Sequence, residues 1–514
     1  MSDSRAKRSA QNAATGFVYH FSGMLLSFIR RTVFIHTLGN EYLGLNGIFS
    51  DVLNLLSMAD LGFSTAMAYS FYKPLAEKDE EKIASLIAFY KRIYNVIALV
   101  VLCLGLCCVP FLRLIINTER DIPYLEVYYL FSLANTVMSY LFVYKTTLLT
   151  ADQKDYKVVR IRNITQWIRS IVRIIVLLVY QNYIIYLAIG TVSVLFNNLV
   201  ASRTAEKEYP YIKHIKGKIS SDIDIRKKIV ENMKSVFIYK ASGTLFTATD
   251  NVIISKVIST ATVGLYSNYL MLSSKLLLIE QIIFTSMTAS IGNVIAKENS
   301  KKRYEVFQAL QSASFIFCGI ITGLFCVMAN DVIYVWLGEK YQLSELVVIA
   351  ITGNAYLSCV LLPLWIYRDA TGLYLRTKYL MLLGAIENIV LSIILGHVIG
   401  LAGVIFASAI ARLTSYCWYE PKLLFEEYFD RSPKYYFLGI IKHISLIAAV
   451  IFVLKTAWRF YPVTGVLSLL VKGISTGIIC CVIFFVAYIR TEGAKTIINK
   501  VNQVVGKVRA SRQR

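Results

Sequence analysis

Long apolar runs separated by short polar breaks organise this chain from end to end. Runs long enough to cross a bilayer core of about 30 Å recur near residues 14–36, 43–72, 83–112, 122–148, 158–180, 183–202, 230–255, 262–296, 304–330, 345–367, 373–396, 401–419, 436–455 and 464–489. The pattern predicts an all-α polytopic membrane protein of about 14 transmembrane helices. An even number of crossings puts both termini on one side. The breaks on that side hold Arg5, Lys7 and Arg8, then Lys73, Lys78 and Lys82, then a basic stretch from Arg203 to Glu231. The opposite breaks are poor in Lys and Arg, and the positive-inside rule makes the basic side cytoplasmic.

The Arg203–Glu231 break divides six spans from eight, and the two sets carry a repeat. Residues 44–82 align without a gap on 264–302, sharing Gly44/Gly264, Leu45/Leu265, Leu56/Leu276, Thr65/Thr285, Met67/Met287, Ser70/Ser290, Ala76/Ala296 and Lys82/Lys302. The acids Asp60 and Glu280 fall in register. Six is an even number, so the halves share orientation and are expected to be two six-helix lobes related by a pseudo-two-fold along the membrane normal. The organisation read from this is an N-lobe over 1–202, a basic cytoplasmic connector over 203–231, a C-lobe over 232–420, and two accessory helices with a basic tail over 421–514. A site between the lobes is the transporter expectation.

Composition then excludes a soluble enzyme. Apolar residues make up 56% of the 514, only 17% are charged, and mean hydropathy is +0.57. The net charge of +22, which in a soluble protein would suggest nucleic acid, is mostly topological; no nucleic-acid partner is expected. All nine cysteines sit in apolar stretches without metal-ligand spacing. They read as reduced packing residues. No cleavage site follows the first apolar run, so the first helix is expected to stay in the protein.

Charges inside spans cost about 2.5 to 3.5 kcal/mol each on insertion scales and default to function unless they can snorkel. Lys91, Arg92, Lys442 and Lys472 are read as snorkelling. Arg169 and Arg173 fall near the middle of span 5 and, with Arg162 and Gln166, follow an i, i+4, i+7, i+11 stripe. Either they pair with acids of neighbouring helices or they line a water-filled anion path. Lys240, Thr244, Thr247 and Asn251 make a similar stripe in span 7, and Ser27 and Arg31 continue a face that begins at His20. Substrate-binding candidates in a cationic cavity are therefore Arg31, Arg169, Arg173, Lys240 and Lys275. Gate or ion-coupling candidates are Arg30, Asp51, Asp60, Asp250 and Glu280. Arg31 and Asp250 occupy nearly matched places in the repeats, one residue out of register, as an outer gate or a structural pair; Lys275 and Glu280 share a depth at which they could neutralise each other. Pro363 is expected to kink span 10.

Chemistry-bearing motifs are weak. Asp222-Ile-Asp224 imitates a sugar-nucleotide site but lies beside Arg226, Lys227 and Lys228 on the connector, and Lys216-Gly217-Lys218 lacks phosphate-loop spacing. The five histidines are scattered. No paired carboxylates, nucleophile elbow or metal ligands stand out, so no catalytic residue, metal or cofactor is expected.

The run Leu38 to Asp79 (LGNEYLGLNGIFSDVLNLLSMADLGFSTAMAYSFYKPLAEKD) and the run Thr249 to Tyr269 (TDNVIISKVISTATVGLYSNY) closely resemble bacterial polysaccharide flippases of the multidrug/oligosaccharidyl-lipid/polysaccharide exporter superfamily. The resemblance implies a two-lobed bundle of twelve helices plus two accessory ones in the bacterial cytoplasmic membrane. It implies movement of undecaprenyl-diphosphate-linked oligosaccharide repeat units from the inner to the outer leaflet by alternating access during capsule or exopolysaccharide synthesis. Polysaccharide polymerase and assembly proteins are the implied partners beside membrane lipid. Arginines of related lipid-II flippases hold the diphosphate, with Arg31 and the Arg169/Arg173 stripe as plausible counterparts. An ion-coupled exporter of organic cations would want acids in the cavity, and a membrane glycosyltransferase or polymerase would want an acidic external loop; both fit these residues less well.

Overall fold

The computed structural model describes residues 22–60, 63–118, 121–152, 154–212, 237–496 and 498. His20, His214, the Asp222/Asp224 pair, the connector beyond residue 212, the basic tail and the Asp60 side chain lie outside this set. The chain divides into two compact units, Met1–Thr244 with Ser259–Gly264, and Leu245–Ile258 with Leu265–Arg514.

The first unit contains α1 (22–38), α2 (Asn40–Leu56), α3 (Phe63–Glu77), α4 (Glu80–Cys108), α5 (Leu125–Ala151), α6 (Asp155–Tyr180), α7 (Tyr183–Glu208) and most of α8 (237–247). Its core is built where α5 packs on α4 and α7, and α7 on α6. The α6–α7 connection is two residues long. Gln181 ends α6 in the left-handed conformation, and the Asn182 side chain caps α7 by accepting from the N–H groups of Ile184 and Ile185. A hairpin that tight pairs residues equidistant from the turn, which sets Arg173 level with Gly190.

The second unit holds α9 (Asp250–Val257), most of α10 (Thr260–Thr285), α11 (Thr288–Lys297), α12 (Ser300–Leu337), α13 (Glu345–Val360), α14 (Leu362–Thr371), α15 (Tyr374–Thr414), α16 (Tyr416–Tyr428), α17 (Lys434–Trp458) and α18 (Val466–Ile489). Its centre is α12, whose most apolar window is 72% buried. Helices α13, α17 and α18 pack around it. Gly319 admits the Phe484 ring of α18, since a Cβ there would lie 2.4 Å from that ring.

Among the described residues, eight helices are long and apolar enough to cross a membrane, or ten if each of two bent pairs is one span. The run Tyr374–Tyr428 passes as one of the eight, yet it reverses at Ile399–Gly400, where Gly400 has φ +63°. Glycine adopts that conformation without a Cβ clash. Ser408 donates to Asn388 across the resulting hairpin, so this run is the two spans expected near 373–396 and 401–419. The kink expected at Pro363 is present: α13 and α14 meet at 43° and Pro363 lies in the first turn of α14. A proline there removes an N–H that a helix start leaves unbonded anyway.

Two expectations of continuous helix fail. Span 2 is interrupted by the 3-10 turn Ser57–Asp60, where the Ser57 hydroxyl bonds back to the Leu53 carbonyl. Span 7 breaks at residues 248–249 between α8 and α9. The polar run Thr247–Asp250 offers side-chain partners that compete with the helix ladder, and Thr249 bonds back to the Leu245 carbonyl.

The repeat reaches beyond its 39 aligned residues. Helix starts recur at an offset of 220 as Asn40/Thr260, Glu80/Ser300 and Leu125/Glu345. Even the caps match, Asp79 accepting from the Lys82 N–H and Asn299 from the Lys302 N–H. Within the first unit the shared glycines make a reciprocal contact. A Cβ on Gly44 would sit 2.0 Å from the Thr260 carbonyl oxygen, and one on Gly264 would sit 2.2 Å from the Asn40 carbonyl oxygen. The contacts exchange under the 220-residue offset.

Candidate functional site

Four arginines gather in the first unit. Arg30 and Arg31 project from α1, Arg169 and Arg173 from α6, and all four are half-buried. Arg169 lies within electrostatic reach of both Arg173 and Arg30, and Arg31 within reach of Arg30. Arg30 donates to the Ser170 hydroxyl at 3.3 Å, bracing α1 on α6. The Arg173 Nε donates to the Tyr186 carbonyl at 3.0 Å, and its guanidinium carbon sits 4.0 Å from the centre of the Tyr186 ring. Among the described residues no carboxylate forms an ion pair with Arg30, Arg169 or Arg173. The α6 stripe is thus divided: Arg162 and Gln166 are exposed, and only its last two arginines enter the cluster.

Aromatic rings close the cluster toward the α6–α7 turn. Tyr183 is buried and lies edge-on to Phe34, Tyr42 and Tyr128 at centroid distances of 5.9, 4.9 and 4.7 Å. Phe34 also meets Tyr186 at 5.1 Å. Apolar ring faces lower the local dielectric around the guanidinium groups, and that strengthens their pull on an anion.

The second unit has different chemistry. A cavity of about 210 Å³ is lined by Thr247, Asp250, Asn354, Ser358, Ser408 and Arg412 together with Phe246, Leu270 and other apolar side chains. Asp250 accepts from Ser408 at 3.2 Å and from the Asn388 amide at 3.4 Å. The Asn388 amide oxygen in turn accepts from Ser392 and Ser408. Arg412 donates to Ser358 at 3.0 Å and sits over the Phe246 ring.

The remaining candidates are dispersed. Asp51 is buried on α2, and Lys240 is half-buried on α8. Glu280 is buried on α10 and accepts from the Ser314 hydroxyl at 3.0 Å. The expected neutralisation by Lys275 does not occur: five residues along a helix turn about 140° around its axis, so the two side chains leave different faces. Lys472 does not snorkel freely but pairs with Asp331 of α12 at 2.7 Å.

Several functional-looking residues escaped the sequence reading. Arg412 and Asn388 carried the ordinary signal of a polar group inside a span. Arg368 and Glu420 carried less, because each lies beside a polar break; they form a buried pair at 3.3 Å, with Thr377 also donating to Glu420.

Outside the spans, an ionic knot closes the other end of the first unit. Lys154 meets Asp152 and Glu208 at 2.7 Å each, and the Tyr209 hydroxyl donates to Asp152. Burial pushes the Asp152 carboxyl up, but the hydrogen bonds from Lys154 and Tyr209 outweigh it and hold the group below its ordinary range. The bonds to Asp152 and Glu208 raise Lys154 above its ordinary value.

The family described as polysaccharide biosynthesis protein matches residues 38–345. No curated protein sequence matches the chain. Among solved structures, the fold is similar to that of the lipid II flippase MurJ in an inward closed conformation, with TM-score 0.64 and 17% identity over 92% of this chain and 99% of that one. It is also similar to an inward-facing multidrug resistance MATE transporter of the MOP superfamily, with TM-score 0.56 and 11% identity over 83% and 95%. A MATE structure in a bent conformation matches with TM-score 0.50 and 13% identity over 83% and 93%. At these identities the likeness is one of fold.

Proposed function

The chain belongs to the polysaccharide biosynthesis protein family, and from that premise we propose that it is a flippase. It carries undecaprenyl-diphosphate-linked oligosaccharide repeat units from the inner to the outer leaflet of the bacterial cytoplasmic membrane by alternating access, supplying capsule or exopolysaccharide assembly. The observation that carries this reading is the cluster of Arg30, Arg31, Arg169 and Arg173, its α6 members without a carboxylate partner among the described residues. Positive charge concentrated in an apolar bundle is costly until an anion arrives. A diphosphate is the group in this substrate class that repays it, because a guanidinium matches two phosphate oxygens at once. One structural relative is a lipid II flippase, which supports a lipid-linked substrate. With the inside negative, outward passage of the anion is favoured by about 2.3 kcal/mol per elementary charge per 100 mV.

Asp250 is the ion-coupling candidate in this reading. Its carboxylate accepts from the Asn388 amide N–H and the Ser408 hydroxyl and lines a polar cavity, a setting in which a carboxylate can take up a proton or a small hard cation. The same acid favours the second reading, an ion-coupled exporter of organic cations. In proteoliposomes, translocation of a fluorescent undecaprenyl-diphosphate-linked oligosaccharide is expected, with no uptake of a fluorescent organic cation; the reverse selectivity would overturn the flippase reading. Orientation is tested separately. On a cysteine-free background, a cysteine at 340 should react with an impermeant reagent in intact cells, while one at 220 should be protected.

A further inference from the structure

The arginines of α6 are held in unequal ways. Arg173 is restrained three times over: its Nε bonds to the Tyr186 carbonyl, its plane lies over the Tyr186 ring, and its Nη2 occupies the space where a Cβ on Gly190 would be, 1.9 Å away. The Gln181–Asn182 turn makes Gly190 the residue opposite Arg173, so no other position on α7 could vacate that space. Arg169 sits one turn deeper along α6. Its Nε is buried and, among the described residues, has no hydrogen-bond partner. An orphaned charged donor costs more than a neutral one, and its environment is Arg173, Arg30 and a phenol, with no acid.

We propose that Gly190 and Tyr186 are specificity-determining positions that seat Arg173 as a fixed positive wall, so that Arg169 is the arginine that closes on the diphosphate. Arg173 is thereby a positioning residue: it is already satisfied by α7, and its charge keeps the site selective for an anion that spans two phosphates. Arg169 supplies the donor with no other use. The proposal rests on the anionic substrate class proposed above and adds which residues divide the work. Gly190 is the point where that division is built, because any side chain there pushes the guanidinium out of its seat and toward Arg169.

The test is a double-mutant cycle on the purified full chain. The probes are undecaprenyl diphosphate in phosphatidylcholine nanodiscs and inorganic pyrophosphate. Gly190→Ala is expected to weaken binding of both at least tenfold, and Arg173→Lys is expected to weaken both about as much. In the Arg173→Lys background, adding Gly190→Ala should cost nothing further, because the shorter, unforked side chain no longer fills the space. Thermal melting is followed in parallel. If Gly190→Ala does not fold, Tyr186→Leu takes its place in the same cycle.

Losses that add across the cycle, or an unchanged affinity in folded Gly190→Ala, overturn the seat while leaving the anion reading intact. A loss for the lipid with none for pyrophosphate places Gly190 against the lipid chain, which also overturns it. If the unsubstituted protein binds neither probe, the anion reading itself fails, and the assignment to Arg169 fails with it.

Discussion

The two units descend from one repeat and share helix starts and even helix caps, yet they place opposite chemistry in the membrane. In the first unit, the half-buried polar groups on α1 and α6 are guanidiniums, one of which, Arg173, stacks on the Tyr186 ring. In the second, the corresponding span carries Asp250, held by the Asn388 amide and the Ser408 hydroxyl of the α15 hairpin. Neutral donors can stabilise one carboxylate without consuming its charge. The first unit instead places several like charges within reach of one another. Backbone architecture is therefore conserved across the repeat by packing demands, such as Gly44 against Thr260 and Gly264 against Asn40, while the polar side chains are free to diverge.

The largest expected break in this contrast comes from removing the charge of the first unit. Arg169→Ala with Arg173→Ala should abolish polymer export while the protein still accumulates in the membrane. Arg169 loses hydrogen bonding to a charged group, about 1.5 to 3 kcal/mol per bond, and Arg173 the positive wall beside it, so the two changes together should cost on the order of 10³-fold in substrate affinity at tenfold per 1.4 kcal/mol. Lysine at both positions should retain part of the export, keeping charge but losing the planar fork. Full export by the double alanine variant would remove α6 from the mechanism.

A stability effect of about 3 to 5 kcal/mol is expected from Arg368→Ala, because it strands the buried Glu420 carboxylate. The paired replacement Arg368→Met with Glu420→Leu should recover most of the loss, as read by thermal unfolding in detergent. If the pair is as unstable as the single variant, the ion pair is not what holds α14 to α16. This sharpens the comparison, since Arg368 of the second unit is committed to a buried ion pair, whereas among the described residues no carboxylate pairs with Arg30, Arg169 or Arg173 of the first.

Asp250→Asn is expected to change stability by less than about 1.5 kcal/mol, since an amide can keep the bonds to Ser408 and Asn388. Transport in proteoliposomes should nevertheless stop responding to an imposed proton or sodium gradient, while affinity for undecaprenyl diphosphate is unchanged. A variant that couples normally would move ion coupling away from α9.

The smallest effect concerns the ionic knot. Asp152 is held below its ordinary value, so its contribution is complete above about pH 4 and is lost only as pH falls through the lower folded value. Lys154 is raised, so its contribution is complete below about pH 10 and is lost as pH rises through the higher folded value. Between pH 5 and 9 the Lys154→Met protein should melt below the unsubstituted one by a constant interval, equivalent to less than about 1 kcal/mol for a half-buried network that solvent still screens. An interval that changes across this window would mean that another titrating group controls the knot.

How far the site was legible depends on how local its signal was. Arg169 and Arg173 announced themselves because a charge in the middle of an apolar run is expensive wherever the helix ends up. Arg30 and Arg31 were visible for the same reason, though not their approach to α6. Lys275 and Glu280 were misread as partners because closeness in depth was allowed to stand for closeness in space, and helical phase separates them. Arg368 and Glu420 were missed because they lie 52 residues apart beside polar breaks, where a charge looks solvated until the fold buries it.

What the sequence by itself determined is the all-helical membrane class, the repeat and the presence of unusual intramembrane charge. These follow from apolar run length, from periodicity and from the cost of each residue in hydrocarbon, all properties of a segment taken alone. What only the tertiary structure decided is which charges are spent and which are available: Arg173 locked against Tyr186 and Gly190, Lys472 paired with Asp331, Glu280 satisfied by Ser314, and the Arg169 Nε without a partner among the described residues. Satisfaction of a buried polar group depends on which side chain a neighbouring helix presents at the same level and phase, and that is fixed by turns such as Gln181–Asn182 and Ile399–Gly400 and not by the composition of either helix.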